Sequence, residues 1–173
     1  MTVTQPPGDQ VPADQVIVPV GRLADRGSAT GRGWCPIEGA LERIGTRSAV
    51  ILLREVFYGA RRFDDLARLT GLTDAVAAKR LKQLVADGLL AQRPYREPGS
   101  RTRYEYVLTE RSQELFALLV AFGEWGRRLD ADRDGVEFVH AGCGAPLQAT
   151  VRCAAGHDVA PGQAEARLAS EAS

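Results

Sequence analysis

Residues 61–103 decide the fold of this chain, and they read RRFDDLARLTGLTDAVAAKRLKQLVADGLLAQRPYREPGSRTR. Two segments with helical apolar spacing flank the tight turn Gly71-Leu72-Thr73, in which Thr73 is a residue type that caps helices. The predicted inner stripe of the second segment consists of Val76, Ala77, Leu81, Leu84 and Val85. The stretch therefore predicts two helices joined by a short turn.

The same stretch ends in a predicted β-hairpin. Gly88 ends the second helix, and Leu89 to Pro94 and Arg103 to Leu108 have the composition of two strands. Residues 97–100, Glu-Pro-Gly-Ser, form the tip between them. Two helices followed by a hairpin are typical of a winged helix-turn-helix, in which the second helix enters the major groove of duplex DNA.

Helical patterns continue on both sides of this stretch. Apolar spacing predicts one helix from Pro36 to Gly45 and a second that begins at Thr46 and ends at Tyr58. Thr109 begins a last, long helix with apolar residues at positions 115, 118, 119, 122, 125 and 129. The predicted fold class is mainly α with a small β-hairpin (α+β): a winged helix-turn-helix with a long C-terminal dimerisation helix and a small C-terminal tail module.

Charge is unevenly distributed along the chain. The whole sequence has a formal net charge of zero, but residues 61–103 hold ten Lys/Arg and only five Asp/Glu. Residues 130–173 are acidic, with three basic and seven acidic side chains. A basic centre and an acidic end indicate that the centre binds nucleic acid. Double-stranded DNA is therefore the leading predicted partner.

Twelve residues are candidate DNA contacts. Lys79, Lys82 and Gln83 lie on the predicted outward face of the second helix, from which they can donate to bases or phosphates. The hairpin arginines surround a tip that can approach the DNA backbone, and a merely solvated hairpin is the alternative. Arg80 fits an internal salt bridge as well as a phosphate contact. The full set is Arg61, Arg62, Thr73, Ala75, Lys79, Arg80, Lys82, Gln83, Arg93, Arg96, Arg101 and Arg103.

Several spaced motifs carry a resemblance to a known family. They are Cys35-Pro36-Ile37-Glu38, residues 52–57 (LLREVF), Arg61-Arg62-Phe63, Gly88-Leu89-Leu90 and residues 104–109 (YEYVLT). Over residues 35–129 the chain closely resembles the HxlR-type family of bacterial winged-helix regulators. It departs from the family pattern at residues 46–48, where members often carry Gly-Lys-Trp, and at residues 73–75, where a basic residue is common.

The resemblance implies a cytoplasmic homodimer that binds a pseudo-palindromic operator and represses or activates transcription. In such proteins the first and last helices form the dimer interface, and packing within one chain is the alternative use of the stripe on the last helix. The interface residues that this implies are Ile37, Leu41, Leu115, Leu119, Phe122, Trp125 and Leu129. A small-molecule effector is a further candidate partner, which the sequence does not name.

Cys35 is the candidate redox residue. It opens the first predicted helix, where several members of the family carry a redox-reactive cysteine. A helix dipole favours the thiolate form of a thiol at this end, and the thiolate is the reactive form. A purely structural thiol is the alternative.

The C-terminal tail holds the candidate metal ligands His140, Cys143, Cys153 and His157. Two Cys and two His in paired spacing match the tetrahedral coordination of zinc. Neither pair is a Cys-x2-Cys knuckle, so a metal-free hairpin is the alternative. Zinc is the one cofactor that the sequence suggests, and no cofactor is firmly predicted.

The sequence predicts three parts. Residues 1–33 are expected to be a disordered arm in which only the patch Val16 to Val20 is apolar, residues 34–130 the DNA-binding and dimerisation domain, and residues 131–173 an acidic tail with a Cys/His hairpin at 138–159. No apolar run approaches the ~20 residues of a membrane span. No signal peptide is recognisable, so a cytoplasmic location without a membrane partner is expected.

The leading functional hypothesis is a sequence-specific transcriptional regulator that is switched by thiol oxidation or by a small ligand. The alternative is a winged-helix protein-interaction module without specific operator binding. An enzyme is disfavoured, because the only two histidines lie in the tail and no nucleophile motif, phosphate loop or paired-carboxylate site stands out.

Overall fold

The computed structural model describes residues 16–25, 35–96, 99 and 101–171. The chain divides into two compact units, one of Trp34–Ala149 and one that combines Met1–Gly33 with Thr150–Ser173. In chain order the elements are β1 (Ile17–Pro19), α1 (Pro36–Ile44), α2 (Arg47–Phe57), α3 (Phe63–Thr70), α4 (Asp74–Ala86), β2 (Leu90–Tyr95), β3 (Arg103–Leu108), α5 (Glu110–Gln113), α6 (Phe116–Leu129) and β4 (Ala164–Ala166). Two short 3-10 turns, Gly21–Leu23 and Ala169–Glu171, lie in the second unit.

The core of the first unit is built around α2. Fully buried apolar side chains of α2, α3, α4 and the start of the hairpin pack together. These side chains are Ala49, Leu52, Leu53, Val56, Leu66, Leu81, Leu84 and Leu90. Each buried leucine contributes about 1.5–3 kcal/mol relative to full exposure. This core fixes α4 relative to α2 and α3, and so it positions the face of α4 that points outward.

Local capping sets the ends of the two central helices. Gly71 ends α3 in the left-handed conformation, with φ of +65°, which residues with a Cβ rarely adopt. The Thr73 hydroxyl accepts the Val76 N–H at 3.4 Å and caps the start of α4. The three residues 71–73 therefore turn the chain sharply between α3 and α4, as the sequence predicts.

The hairpin is antiparallel and in full register, from Leu90 opposite Leu108 to Tyr95 opposite Arg103. Its strand β3 is also bound to the segment before α3, since the Tyr106 N–H donates to the Arg61 carbonyl at 2.8 Å. The hairpin and α3 are therefore held together. Of the predicted tip, residues 97, 98 and 100 lie outside the described residues.

The last long helix of the sequence prediction is two helices in the structure. α5 ends at Gln113, and α6 begins at Phe116. Thr109 and Ser112 form a capping box, and the buried Ser112 hydroxyl also donates to the Thr109 carbonyl at 2.9 Å. The break is a tighter turn, in which the Leu115 N–H donates to the Ser112 carbonyl at 3.0 Å, three residues back instead of four.

The residues after α6 belong to the first unit as far as Ala149, so the predicted boundary at residue 130 differs from the observed division. Phe138 packs so closely on α6 that a Cβ at Gly123 would lie 2.8 Å from its Cε2 atom. The Ala149 N–H donates to Glu124 Oε2 at 3.0 Å. These contacts tie residues 136–149 to α6.

The second unit contains a two-stranded parallel sheet. β1 pairs with β4 from Ile17 opposite Ala164 to Pro19 opposite Ala166. Arg22 Nε donates to Glu171 Oε1 at 2.8 Å. The valine-rich patch that the sequence places within a disordered arm is therefore a strand, while the remainder of that prediction, residues 1–15 and 26–33, lies outside the described residues.

Candidate nucleic-acid interface

The outward face of α4 carries the predicted base-reading residues. Ala77, Leu81 and Leu84 are buried, which turns the opposite side of the helix to solvent. The candidate contacts Ala75, Lys79, Lys82 and Gln83 are all exposed on that side. Two ammonium groups one turn apart on an exposed helix can donate to phosphates or to guanine acceptors.

Val76 differs from its predicted position in the inner stripe. Its side chain is 44% exposed, because Ala77 takes the central buried position of the first turn. Val76 therefore lies beside Lys79 and Gln83 on the outward side. An apolar side chain there can contact a thymine methyl group, a readout that the sequence analysis missed.

Three candidates on or before α4 have partners within the chain or partial burial. Gln83 Nε2 donates to Asp87 Oδ1 at 2.9 Å. Arg80 is half-buried, and the Thr73 hydroxyl accepts the Val76 N–H at the start of α4. To contact DNA, these side chains must move or must share their present hydrogen bonds. No such rearrangement is needed for Lys79 and Lys82.

Arg61 and Arg62 behave differently although they are neighbours. Arg61 is half-buried, and its Nη1 donates to the carbonyls of Val56 at 2.5 Å and Ala60 at 3.1 Å. It thereby satisfies carbonyls at the end of α2. Arg62 is exposed, and its guanidinium lies over the Tyr95 ring of the hairpin, 4.9 Å from the centroid. Arg61 supports the fold, and Arg62 lies between α3 and the hairpin.

The hairpin presents a row of arginines beside α4. Arg93 pairs across the sheet with Glu105, with Nε 2.6 Å from Oε1. Arg96, Arg101 and Arg103 are exposed. A guanidinium is always charged and can bind phosphate through two N–H groups.

The predicted dimer stripe is largely exposed but shifted in register. Leu118, Phe122, Trp125 and Leu129 repeat at spacings of four, three and four along α6, and Trp125 is 56% exposed. On α1, Ile37 is 71% and Leu41 57% exposed. Leu115, by contrast, packs against the core, and Leu119 is half-buried. A repeat of four and three residues is the spacing that helix–helix association uses.

The cysteine candidates occupy three separate places. Cys35 is half-buried at the N-cap of α1, directly before Pro36. His140 Nδ1 lies 3.3 Å from Cys143 Sγ in the first unit, and Cys153 Sγ lies 3.5 Å from His157 Nδ1 in the second unit. Within the part of the chain that the structure describes, no three His, Cys, Asp or Glu side chains come together in an arrangement that can hold a metal ion. Zinc binding stays a prediction of the sequence.

Among the described residues, no helix combines the length and the apolar character needed to cross a membrane.

The family model of the HxlR-like helix-turn-helix matches residues 43–133. Rv3095 of Mycobacterium tuberculosis, an uncharacterised HTH-type transcriptional regulator, is 36% identical over 116 residues, which are 66% of this chain and 72% of that protein. YybR of Bacillus subtilis, also an uncharacterised HTH-type transcriptional regulator, is 30% identical over 104 residues, 60% of this chain and 79% of YybR.

Solved structures show the same fold. PA1607, a candidate transcription factor, superposes with a TM-score of 0.69 at 30% identity, covering 80% of this chain and 96% of that chain. The redox regulator HypR in its reduced form superposes with a TM-score of 0.50 at 28% identity, covering 57% of this chain and 98% of HypR. The predicted fold class, a winged helix-turn-helix of α+β type, is confirmed.

Proposed function

The chain belongs to the HxlR-like helix-turn-helix family, and on that premise we propose that it is a DNA-binding transcriptional regulator that acts as a homodimer on a pseudo-palindromic operator. The family consists of transcriptional regulators and not of enzymes. The observation that carries the proposal is the exposed pair Lys79 and Lys82 on α4, next to a hairpin with exposed arginines. A helix fits the major groove, and basic groups on both elements can neutralise phosphates on either side of it.

The proposed contacts divide by what each side chain can reach. Lys79, Lys82 and the exposed Val76 face outward from α4 and are assigned to the groove. Arg101 and Arg103 of the hairpin are assigned to the sugar-phosphate backbone, which positions the protein without reading sequence. Asp74 at the start of α4 repels phosphate and so limits how closely that end of the helix approaches the DNA backbone.

The proposed dimer uses α1 and α6. The exposed residues of both helices, among them Ile37, Leu41, Phe122, Trp125 and Leu129, supply apolar surface that a second copy would bury. Compared with the interface residues predicted from the sequence, the proposed dimer adds Leu118 and omits Leu115, because Leu115 packs inside the chain. A two-fold dimer would present two α4 helices to two half-sites about one DNA turn apart.

The test is the salt dependence of binding to duplex DNA, with an operator selected from genomic fragments by the purified protein. Loss of three phosphate contacts in Lys79→Ala/Lys82→Ala/Arg101→Ala should reduce the slope of log K against log salt by about 2 to 3. A control variant, Arg133→Ala/Arg152→Ala/Arg167→Ala, removes the same charge from residues that follow the winged helix and should keep the slope. Unchanged binding by the first variant would leave a protein-interaction module as the better description.

The proposed switch is oxidation of Cys35, with a small-molecule effector as the other switch. Cys35 occupies the N-cap position of α1, which the proposed dimer buries, and HypR, a redox regulator, shares the fold. Repeating the binding measurement after treatment with diamide should change the affinity of the natural chain and leave Cys35→Ser unaffected. If the affinities of the two proteins respond equally to diamide, oxidation of Cys35 is not the switch.

A further inference from the structure

A cleft of about 530 Å³ lies in the first unit between α2, α6 and the segment after α6. Its walls are mainly apolar and aromatic, and they include Ile51, Tyr58, Phe122, Val136 and Phe138. Tyr58 and Phe138 pack against each other with ring centroids 6.3 Å apart. A smaller cleft of about 210 Å³ adjoins it through these two rings and adds Phe57 and Phe116. A cleft of this volume with a mainly apolar and aromatic lining is large enough for a small organic molecule.

One polar corner interrupts the apolar lining. Arg54 Nε and Nη2 both donate to Glu55 Oε1, at 2.9 and 2.5 Å. Glu55 is only 7% exposed, whereas the Arg54 side chain is 41% exposed. Among the described residues, Arg54 Nη1 has no hydrogen-bond acceptor in the protein. Both Arg54 and Glu55 line the cleft, and the guanidinium of Arg54 can only donate hydrogen bonds.

We propose that this cleft binds a small aromatic carboxylic acid, with the ring against Tyr58 and Phe138 and the carboxylate on the guanidinium of Arg54. A guanidinium recognises a carboxylate through charge-assisted hydrogen bonds, and aromatic rings prefer offset or edge contacts with one another. An apolar helix of a second copy fits the site less well, because it would cover the Arg54 donors without supplying acceptors.

The cleft is connected through α2 to α4, so a bound ligand can affect the proposed DNA-reading helix. One side of α2 lines the cleft with Ile51 and Arg54, and the other side places Leu52 and Val56 in the core with Leu81 of α4. Because such a core is close-packed, a displacement of α2 by the ligand changes the position of α4. The regulatory part of the inference rests on the proposed function, whereas binding itself does not.

The first measurement is calorimetric titration of the full chain with 1-naphthoate and with its neutral counterpart 1-naphthamide. We expect about tenfold tighter binding of the carboxylate, since a charge-assisted hydrogen bond is roughly twice as strong as a neutral one. Arg54→Gln/Glu55→Gln should abolish that preference. This double variant removes both charges together, so that neither partner is left buried and unpaired.

A pair of glycine variants tests the place of binding. Gly123→Ala puts a Cβ 2.8 Å from the Phe138 ring and should weaken 1-naphthoate binding by about tenfold, because the ring must move from the cleft wall. Gly126→Ala lies on the same helix with nothing within 4 Å of its Cβ, and it should bind as the natural chain does. Circular dichroism confirms that each variant is folded.

Three results would overturn the inference: no binding of 1-naphthoate, equal affinity for 1-naphthamide, or undiminished affinity in Gly123→Ala. Operator binding is measured separately without ligand. If the chain binds 1-naphthoate but no DNA, the proposed function fails while the cleft assignment stands.

Discussion

The two units of this protein are stabilised in different ways. In the first unit, leucines of α2, α3 and α4 are fully buried around one core. In the second unit, none of the described residues 16–25 and 150–171 is buried, and the unit is held by a short parallel sheet and by ion pairs such as Arg22–Glu171. A short sheet without an apolar core contributes little stability of its own. Among the described residues, the rigid positioning that a DNA-reading helix needs is therefore found in the first unit.

Ion pairs occur in both units, and Arg93–Glu105 is one of those in the first unit. In the second unit, Arg22 and Arg152 are paired with Glu171 and Asp158, with N–O distances of 2.8 and 2.6 Å. In the first unit, Lys79, Lys82 and Arg101 are exposed on α4 and the hairpin. Charges already paired within the chain attract DNA less than charges left to solvent. This explains why a chain with no net charge can still present a basic surface.

The largest expected effect comes from a matched pair of leucine substitutions. Leu52→Ala in the fully buried core should lower the free energy of unfolding by about 3 kcal/mol, through lost burial and a residual cavity. Leu168→Ala in the second unit, where the side chain is 38% exposed, should cost less than about 1 kcal/mol. Urea denaturation followed by circular dichroism measures both. Equal losses would mean that the second unit has a core of its own.

A smaller effect is expected from two glycines with positive φ. Gly71 has φ of +65° and Gly156 φ of +86°, and neither would place a Cβ within 4 Å of another atom. Alanine at either position should therefore cost about 1 to 2 kcal/mol of local strain. Only Gly71→Ala alters the turn before α4, so only that variant should also lose DNA affinity in the salt titration. A loss of affinity in Gly156→Ala would show that the units share the function.

The smallest effect is a pH dependence confined to the second unit. A side-chain hydrogen bond from Arg22 holds the pKa of Glu171 below its ordinary value of 4.5, although burial opposes the shift. A carboxyl whose pKa is lowered by folding stabilises the folded state at pH values above 4.5, and this contribution is lost as the pH falls through the lowered pKa.

Amide protection measured by NMR separates the two units in this pH range. The Val20 N–H, which donates to the Ala166 carbonyl at 2.8 Å, should lose protection on acidification before the amides of α2 do. In Arg22→Ala the pKa of Glu171 should return towards its ordinary value, and this pH-dependent loss should disappear. Simultaneous loss in both units of the natural chain would contradict the comparison.

Much of the first unit is predictable from local sequence. The turn at Gly71 to Thr73, the end of α2 near Tyr58 and the strands around residues 90–108 follow from glycine, capping residues and apolar period. The outward direction of Lys79 and Lys82 follows from the same period. These features depend on interactions within a few residues, which is why a single sequence indicates them.

The residues whose surroundings the sequence does not indicate lie where neighbouring positions are nearly equivalent in the sequence. Val76 and Ala77 are both apolar, and only packing against α2 and α3 decides that Ala77 goes inward. Arg61 and Arg62 are identical in type, yet Arg61 is half-buried and donates to carbonyls at the end of α2, whereas Arg62 is exposed. Leu115 lies at the break between α5 and α6, and it packs against the core instead of joining the outer stripe.

The sequence by itself determined the order of the elements from α1 to β3, the basic character of residues 61–103 and the family, because periodicity, turn residues and charge are local properties of the chain. Only the tertiary structure decided the pairing of β1 with β4, the exposure of Val76 and the cleft beside Arg54. Each of these depends on contacts between residues far apart in the chain. No local pattern specifies such contacts, since their free energy arises only when the chain is packed.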